Sequence, residues 1–152
     1  MPGLTYRRAV EADLPTIIAL LADDVLGAFR ESKTPNASEA YRQAFADIQN
    51  DANQLLCVVE DESVIIGTFQ LTFISTLARG GAKRGQIEAV RIAGDRRGER
   101  IGEAMFRWAI ERCRAHGCSL IQLTTDKARP DAHRFYERLG FEPTHMGYKL
   151  LL

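Results

Sequence analysis

The segment "RIAGDRRGERIGEAMFRWAIE", Arg91 to Glu111, passes from a strand-like stretch through a turn rich in glycine and arginine into an amphipathic sequence. Apolar residues of the amphipathic part recur at helical spacing: Ile101, Met105, Trp108 and Ala109. This spacing predicts a helix from Glu99 onward. The first N–H groups of a helix lack intrahelical acceptors and lie at the positive end of its dipole, so such a start favours an anion. The segment therefore predicts a phosphate or pyrophosphate site, with an ordinary solvated loop as the alternative.

The glycines of this turn restrict which phosphate-binding motif it can be. They are spaced by four residues: Gly94, Gly98 and Gly102. That spacing matches neither GxGxxG nor GxxxxGK[ST], which argues against a Rossmann fold and a P-loop. A side chain at Gly98 or Gly102 would hold an anion away from the main-chain amides. Arginines add positive charge to the turn: Arg96, Arg97 and Arg100.

The composition indicates one soluble domain, residues 1–152, because 45% of the residues are hydrophobic and 26% are charged. The 20 Lys and Arg balance the 20 Asp and Glu, which argues against nonspecific binding to nucleic acid or membranes. No segment approaches the roughly 18 apolar residues of a membrane span, and no signal-peptide pattern is present, so a cytoplasmic protein is predicted. Neither the histidines nor the cysteines Cys57, Cys113 and Cys118 have metal-ligand spacing, so we predict packed or surface thiols and no metal.

Hydrophobic periodicity predicts the element order βααβββαβαβ. Helices are predicted in 11–24, 36–50, 99–117 and 129–140, and strands in 4–10, 54–60, 64–76, 84–92 and 119–125. Residues 26–35 are predicted to be a polar connection, and residues 141–152 a final strand or hairpin. The alternation of the fourth strand breaks at Ala89, which predicts a β-bulge.

Two segments carry a family resemblance. "RRGERIGEAMFRWAIERCRAHGC" and "DAHRFYERLGF" resemble, in order and spacing, the two signature segments of the GNAT superfamily of N-acetyltransferases. Arg97, Gly98, Ile101 and Gly102 fit the first pattern, Arg/Gln-x-x-Gly-x-Gly/Ala. The second pattern is fitted by Ala132, Phe135, Tyr136, Gly140 and Phe141.

Two positions depart from the family pattern. Arg100 replaces its central glycine, and Arg129 replaces an asparagine that many members carry. A helix that has already begun at Arg100 would give this residue ordinary helical angles, with its guanidinium directed outward.

The resemblance implies the GNAT fold, an α/β (α+β) class with a mixed, mostly antiparallel central sheet flanked by helices. It also implies acetyl-CoA as co-substrate, with the first signature segment holding the pyrophosphate and the preceding strand pairing with the pantetheine arm. The coenzyme-binding residues so implied are Val90, Arg91, Ile92, Arg97, Gly98, Glu99, Arg100, Ile101, Gly102 and Tyr136.

The resemblance further assigns candidate catalytic roles. Glu88 occupies the position of the family's carboxylate base, and Tyr136 that of the tyrosine that donates a proton to the coenzyme sulfur. A main-chain N–H near Val90 would then stabilise the oxyanion. Alternatively, Glu88 is a solvent-facing carboxylate or pairs with Arg91, and Tyr136 is a core residue beside Phe135.

The expected activity is direct transfer of an acetyl group to the primary amine of a small molecule. The resemblance is strongest to small-molecule branches such as the aminoalkylphosphonate and glucosamine-6-phosphate N-acetyltransferases. It also implies a homodimer, with the C-terminal strand as the candidate interface. A non-catalytic acyl-CoA sensor and a protein N-terminal or lysine acetyltransferase remain alternatives. The acceptor pocket is expected to be lined by residues 26–35, 77–83 and 142–148. Four cations of these segments suggest an anionic amine as substrate: Arg30, Lys33, Arg79 and Lys83.

Overall fold

The computed structural model describes residues 3–23, 25–31 and 35–152, without the side chains of residues 25, 29, 30 and 35–37. The chain divides into two compact units, residues 1–122 and 123–152. No helix in these ranges is long and apolar enough to cross a bilayer.

The first unit is built on a five-stranded sheet in the order β1-β2-β3-β4-β5. Its strands are β1 Leu4–Arg8, β2 Gln54–Asp61, β3 Val64–Ser75, β4 Lys83–Ile92 and β5 Leu120–Gln122. The first three pairings are antiparallel and the β4–β5 pairing is parallel. The predicted mixed, mostly antiparallel sheet is therefore confirmed.

The helices of the first unit are α1 Leu14–Ala22, α2 Val25–Arg30, α3 Pro35–Gln49, the four-residue turn α4 Ala78–Gly81, and α5 Ile101–Ala115. The second unit contains one helix among its described residues, α6 Pro130–Arg138. The order agrees with the prediction except at three places. Residues 26–30 of the expected polar connection are helical, α4 was not predicted, and residues 141–152 form no strand.

The two faces of the sheet carry separate apolar layers, because successive strand residues point to opposite faces. On one face, Leu56 and Val58 cluster with Ile17 of α1 and Phe45 of α3. Helix α5 packs on the other face through a buried stripe: Ile101, Met105, Phe106, Ala109 and Cys113.

Glycine allows α5 to lie close to the sheet. A Cβ at Gly85 would stand 2.4 Å from the Cys113 sulfur, and one at Gly67 would stand 3.2 Å from the Met105 sulfur. Burial raises the pKa of Cys113 to about 12, as it does that of Cys57. Both thiols therefore act as packed apolar groups, as predicted.

Candidate active site

The fourth strand is interrupted by the predicted β-bulge. Thr68 pairs with Arg91 and Gln70 with Glu88, so Ala89 and Val90 together lie opposite Phe69 alone. Ala89 has a φ of 53°, in the left-handed region. The bulge takes the main-chain groups of Ala89 and Val90 out of the regular β3–β4 register.

Strand β4 is also only partly covered by β5. In the described part of the first unit, the parallel ladder joins Arg84, Gly85 and Gln86 of β4 to Leu120–Gln122 and does not extend to the bulge. The β5-facing edge of β4 from Ile87 to Ile92 is therefore outside that ladder, a geometry that suits an added strand-like ligand.

Glu88 immediately precedes the bulge and is exposed. Its register partner is Gln70, and directly opposed residues of an antiparallel pair share a face, so both lie on the face covered by α1 and α3. The guanidinium of Arg91 donates through Nη1 to the carbonyl of Val90 at 2.9 Å. The exposure of Glu88 is compatible with a base and equally with a solvent-facing carboxylate.

A cavity of about 160 Å³ lies beside the bulge, between the sheet and the two helices on that face. Its described lining residues are Leu14, Ile17, Ile18, Leu21, Tyr41, Ala44, Phe45, Ile48, Leu56, Thr68, Gln70 and Ala89. The polar members are engaged: Thr68 Oγ1 donates to the Cys57 carbonyl at 2.8 Å, and Gln70 Nε2 to Gln54 Oε1 at 2.8 Å. The Tyr41 hydroxyl donates to the Glu31 carboxylate.

Sequence reasoning missed this cavity, because it placed the pocket in the connections at 26–35 and 77–83 and in the C-terminal segment. The only sequence signal was the apolar stripe of helix 36–50, which contributes Ala44, Phe45 and Ile48. Residues 32–34 of the first connection lie outside the described residues.

The glycine-rich turn brings several main-chain amides to the start of α5. Gly98 has a φ of 87°, and residues 97–100 are exposed. No N–H from Gly98 to Gly102 donates to an acceptor in the described chain, and the first bond of the helix runs from Ala104 N to Arg100 O at 3.2 Å. These donors are therefore available to an anion.

The conformation of Arg100 differs from the expected one. Helix α5 begins at Ile101, and Arg100 precedes it with φ 62° and ψ 16°. The expectation of ordinary helical angles is wrong, because Arg100 keeps the left-handed conformation that the family's glycine adopts without strain.

The arginines of the turn have different roles. Arg96 binds Asp61 at 2.8 Å and Glu99 at 3.0 Å, and these hydrogen bonds raise its pKa. Arg97 Nη2 donates to the main-chain oxygen of Asp23 at 2.8 Å, which ties the turn to the end of α1.

Unlike Arg96 and Arg97, Arg100 has a side chain for which no hydrogen bond or ion pair is found among the described residues. It lines a hollow of about 250 Å³ with Glu103, Ala104 and Arg107. The guanidinium of Arg107 binds Glu103 at 2.6 Å. The structure thus leaves Arg100 as the cation of the turn that can meet a ligand.

The second signature segment forms the α6 helix and its end. Phe141 N donates to Tyr136 O at 3.1 Å and Gly140 N to Glu137 O at 3.0 Å, with a φ of 94° at Gly140. This is the Schellman pattern, which explains the Gly-Phe pair. Half-buried Tyr136 makes edge contacts with the rings of Phe135 and Phe141, at centroid distances of 5.5 and 6.2 Å.

The histidines have local partners. His133 Nε2 lies 3.0 Å from the carbonyl of Asp126, and His116 ends α5 and stacks on Phe73 at 3.8 Å. In the ranges that the structure describes, no group of three or more His, Cys, Asp or Glu could hold a metal ion.

Residues 22–141 match the family model described as "Acetyltransferase (GNAT) family". The chain belongs to the GNAT acetyltransferase family. It is 28% identical over 148 residues to the aminoalkylphosphonate N-acetyltransferase of Salmonella typhimurium. The matched region covers 97% of this chain and 91% of that protein. These matches identify the chain as an acetyltransferase enzyme, and the GNAT family uses acetyl-CoA.

Solved GNAT-like structures share the fold. A transcriptional regulator from Bacillus halodurans C-125 is 46% identical, with a TM-score of 0.93 over 98% of this chain and 99% of that one. The glucosamine-6-phosphate N-acetyltransferase of Arabidopsis thaliana is 21% identical, with a TM-score of 0.78 over 97% of both chains. The resemblance to this superfamily and the fold class predicted from it are confirmed.

The expected cations that the structure describes do not line the cavity beside the bulge. Lys83 is six residues from Ala89 along β4, about 20 Å at roughly 3.3 Å per residue. Its Nζ donates to the His116 carbonyl at 3.3 Å, and Arg79 lies in the α4 turn that precedes it. The Arg30 side chain and Lys33 lie outside the described residues, and the preference for an anionic amine stays a prediction.

Proposed function

We propose that this GNAT protein transfers the acetyl group of acetyl-CoA directly to the primary amine of a small molecule, with residues 1–152 acting as one domain. The observation that carries the proposal is the set of amides from Gly98 to Gly102, which have no acceptor among the described residues and follow a bulged strand. The family match supports the single domain because residues 22–141 span both compact units.

The residues of the first unit suit the coenzyme. The exposed amides at the start of α5 would donate to the diphosphate, with the side chain of Arg100 adding charge. The main chain of Val90, Arg91 and Ile92 would pair with the pantetheine arm along the edge of β4 beyond the β5 ladder. The remaining coenzyme contacts in this proposal come from Arg97, Glu99 and Ile101 of the turn and from Tyr136.

Acetyl-CoA supplies an acetyl thioester. The residues of the chain must accept the proton of the amine, stabilise the oxyanion and protonate the leaving thiolate. Glu88 would accept a proton from the acceptor ammonium, directly or through water, because an amine with a pKa of about 10 is mostly protonated at neutral pH. The Val90 N–H would donate to the carbonyl oxygen, and the Tyr136 hydroxyl would donate a proton to the coenzyme sulfur.

Two measurements test this proposal. Calorimetry with acetyl-CoA should show saturable binding, and an amine panel with a thiol-release assay should show turnover. Tyr136→Phe should slow kcat while the dissociation constant for acetyl-CoA stays nearly unchanged. Equal turnover in this variant would remove the acid role, and an absence of binding heat at high micromolar acetyl-CoA would refute the coenzyme assignment.

A second candidate function is a non-catalytic acyl-CoA sensor that controls a partner. It is favoured by the 46% identical chain from Bacillus halodurans, which is described as a transcriptional regulator. A protein that binds acetyl-CoA yet is inert towards every amine and peptide tested would favour the sensor. Activity on peptides alone would instead indicate a protein acetyltransferase.

We further propose that the protein is cytoplasmic and forms a homodimer. Large apolar side chains near the C-terminus are exposed: Met146, Tyr148, Leu150, Leu151 and Leu152. Contiguous exposed apolar residues are typical of an interaction surface. Sedimentation would test the dimer, and cell fractionation the location.

A further inference from the structure

We propose that the acceptor amine carries an apolar group about the size of a phenyl ring or a five-carbon chain, held in the cavity between α1, α3 and the sheet. This inference rests on the proposed function and names its substrate class. It differs from the anionic acceptors named for the relatives above.

The size of the group follows from the volume of the cavity. It measures about 160 Å³. An engineered cavity of about 150 Å³ lined by Leu, Ile and Phe stays dry and binds benzene. The cavity can therefore take one ring or a short alkyl chain, and it is too small for a sugar phosphate.

The floor of the cavity is buried and apolar. Ile17, Phe45 and Leu56 are each at most 8% exposed. Thr68 is also buried, but its hydroxyl is bonded to the Cys57 carbonyl and is not offered to a ligand. A polar group placed on this floor would lose its hydrogen bonds to water without replacement, whereas an apolar group would be stabilised by burial.

Two carboxylates next to lining residues favour a cation at the mouth of the cavity. Glu88 is the register partner of the lining residue Gln70, and Glu31 accepts a hydrogen bond from the lining residue Tyr41. No described lining residue is itself charged. Two carboxylates adjacent to the cavity would repel a phosphonate or phosphate and attract an ammonium.

A cation opposite a lining residue on the same face provides the competing outcome. Arg91 is the register partner of Thr68, and its Nη1 donates to the Val90 carbonyl at 2.9 Å. It is not among the described lining residues. A preference for anionic amines would point to Arg91 as the residue that selects the acceptor.

The cavity wall includes Ala89 of the bulge, so a group seated on the floor is directed towards the bulged strand. An amine one or two bonds beyond that group would lie near Glu88 and the Val90 N–H. The apolar cavity and two of the candidate catalytic groups, Glu88 and the Val90 N–H, therefore lie in the same unit, residues 1–122.

The experiment measures kcat/KM for ethylamine, propylamine, butylamine, pentylamine and 2-phenylethylamine, with 2-aminoethylphosphonate and glucosamine 6-phosphate as anionic comparisons. We expect a rise of about fourfold per methylene, or roughly 60-fold from ethylamine to pentylamine. Both anionic amines should be poorer than pentylamine. A flat chain-length profile, or a preference for either anionic amine, would overturn the proposal.

A cavity-filling variant and its matched control locate the effect. Ala44 lines the cavity at an exposed position of α3, and Ala40 is exposed one turn earlier and outside the lining. Ala44→Phe should reduce the dependence on chain length to less than twofold per methylene, whereas Ala40→Phe should preserve it. Equal slopes in the two variants would place the apolar group elsewhere and overturn the proposal.

A binding measurement without turnover separates this proposal from the proposed function. Benzene-saturated buffer should raise the melting temperature of the wild-type protein and of Ala40→Phe, but not that of Ala44→Phe. If no amine is acetylated, the proposed function fails, and the benzene shift alone decides whether the cavity holds an apolar group. If amines are acetylated and no shift occurs in the wild type, only the present inference fails.

Discussion

The left-handed conformation of Arg100 gives a sharp prediction about stability. With φ 62° and ψ 16°, an L-residue other than glycine carries a strain of about 1–2 kcal/mol. Arg100→Gly removes this strain but adds roughly 0.5–1 kcal/mol of chain entropy to be lost on folding. We expect a net gain of about 0.5–1 kcal/mol, which corresponds to a rise of about 1–4 °C in the melting temperature of a chain of this size.

Arg100→Ala is the matched control, because it removes the guanidinium and keeps the strained Cβ. Calorimetric or fluorescence melts of the coenzyme-free protein should therefore rank the glycine variant above both the alanine variant and the wild type. Both variants should bind acetyl-CoA more weakly by a similar factor, up to about fivefold, since each loses an exposed charge. A melting temperature for Arg100→Gly at or below that of Arg100→Ala would refute the strain argument.

Three further substitutions test the packing, the ion pairs and the candidate base. Gly85→Ala should destabilise the fold by about 1–3 kcal/mol in chemical denaturation, because the new methyl group overlaps the sulfur of Cys113. Asp13→Asn should cost about 2 kcal/mol at pH 7, since the Arg7 guanidinium binds Asp13 at 2.7 Å and lowers its pKa. Glu88→Gln should lower kcat/KM, because the amide cannot accept the proton of the acceptor ammonium.

Each substitution has a control or a contradicting result. Gly147→Ala places its methyl in ordinary contact with Thr124 and should be nearly neutral, whereas an equal loss would deny the role of the Gly85 contact. The stabilisation by Asp13 is complete above its unfolded pKa of about 3.9 and is lost as the pH falls towards the lower folded value. A pH–stability profile unchanged by Asp13→Asn would contradict this linkage, and an unchanged kcat/KM in Glu88→Gln would exclude the base.

Local features of the fold could be predicted from the sequence, because they depend on neighbouring residues. The hairpin between β2 and β3 is an example: its turn residues Glu62 and Ser63 both have positive φ, as a tight two-residue turn requires. The bulge at Ala89 was visible as a break in alternation. The availability of main-chain amides in the glycine-rich turn could be predicted from the start of the helix alone.

Features assembled from distant segments could not be predicted in this way. The described lining of the cavity, from Leu14 to Ala89, comes from five secondary-structure elements, and no local pattern encodes its volume. The apolar residues Met146, Tyr148 and Leu150 alternate with other residues, as in a strand. A strand forms, however, only where a neighbouring strand is available for hydrogen bonding. The described chain provides no such partner, and these residues are exposed.

The most direct test of the central claim is a crystal structure of the protein with acetyl-CoA. We expect the diphosphate oxygens to lie within about 3.2 Å of main-chain nitrogens between Gly98 and Gly102, with the thioester beside Val90. A diphosphate bound elsewhere on the protein, or amides of this turn bonded to the protein's own carbonyls in the complex, would contradict the claim.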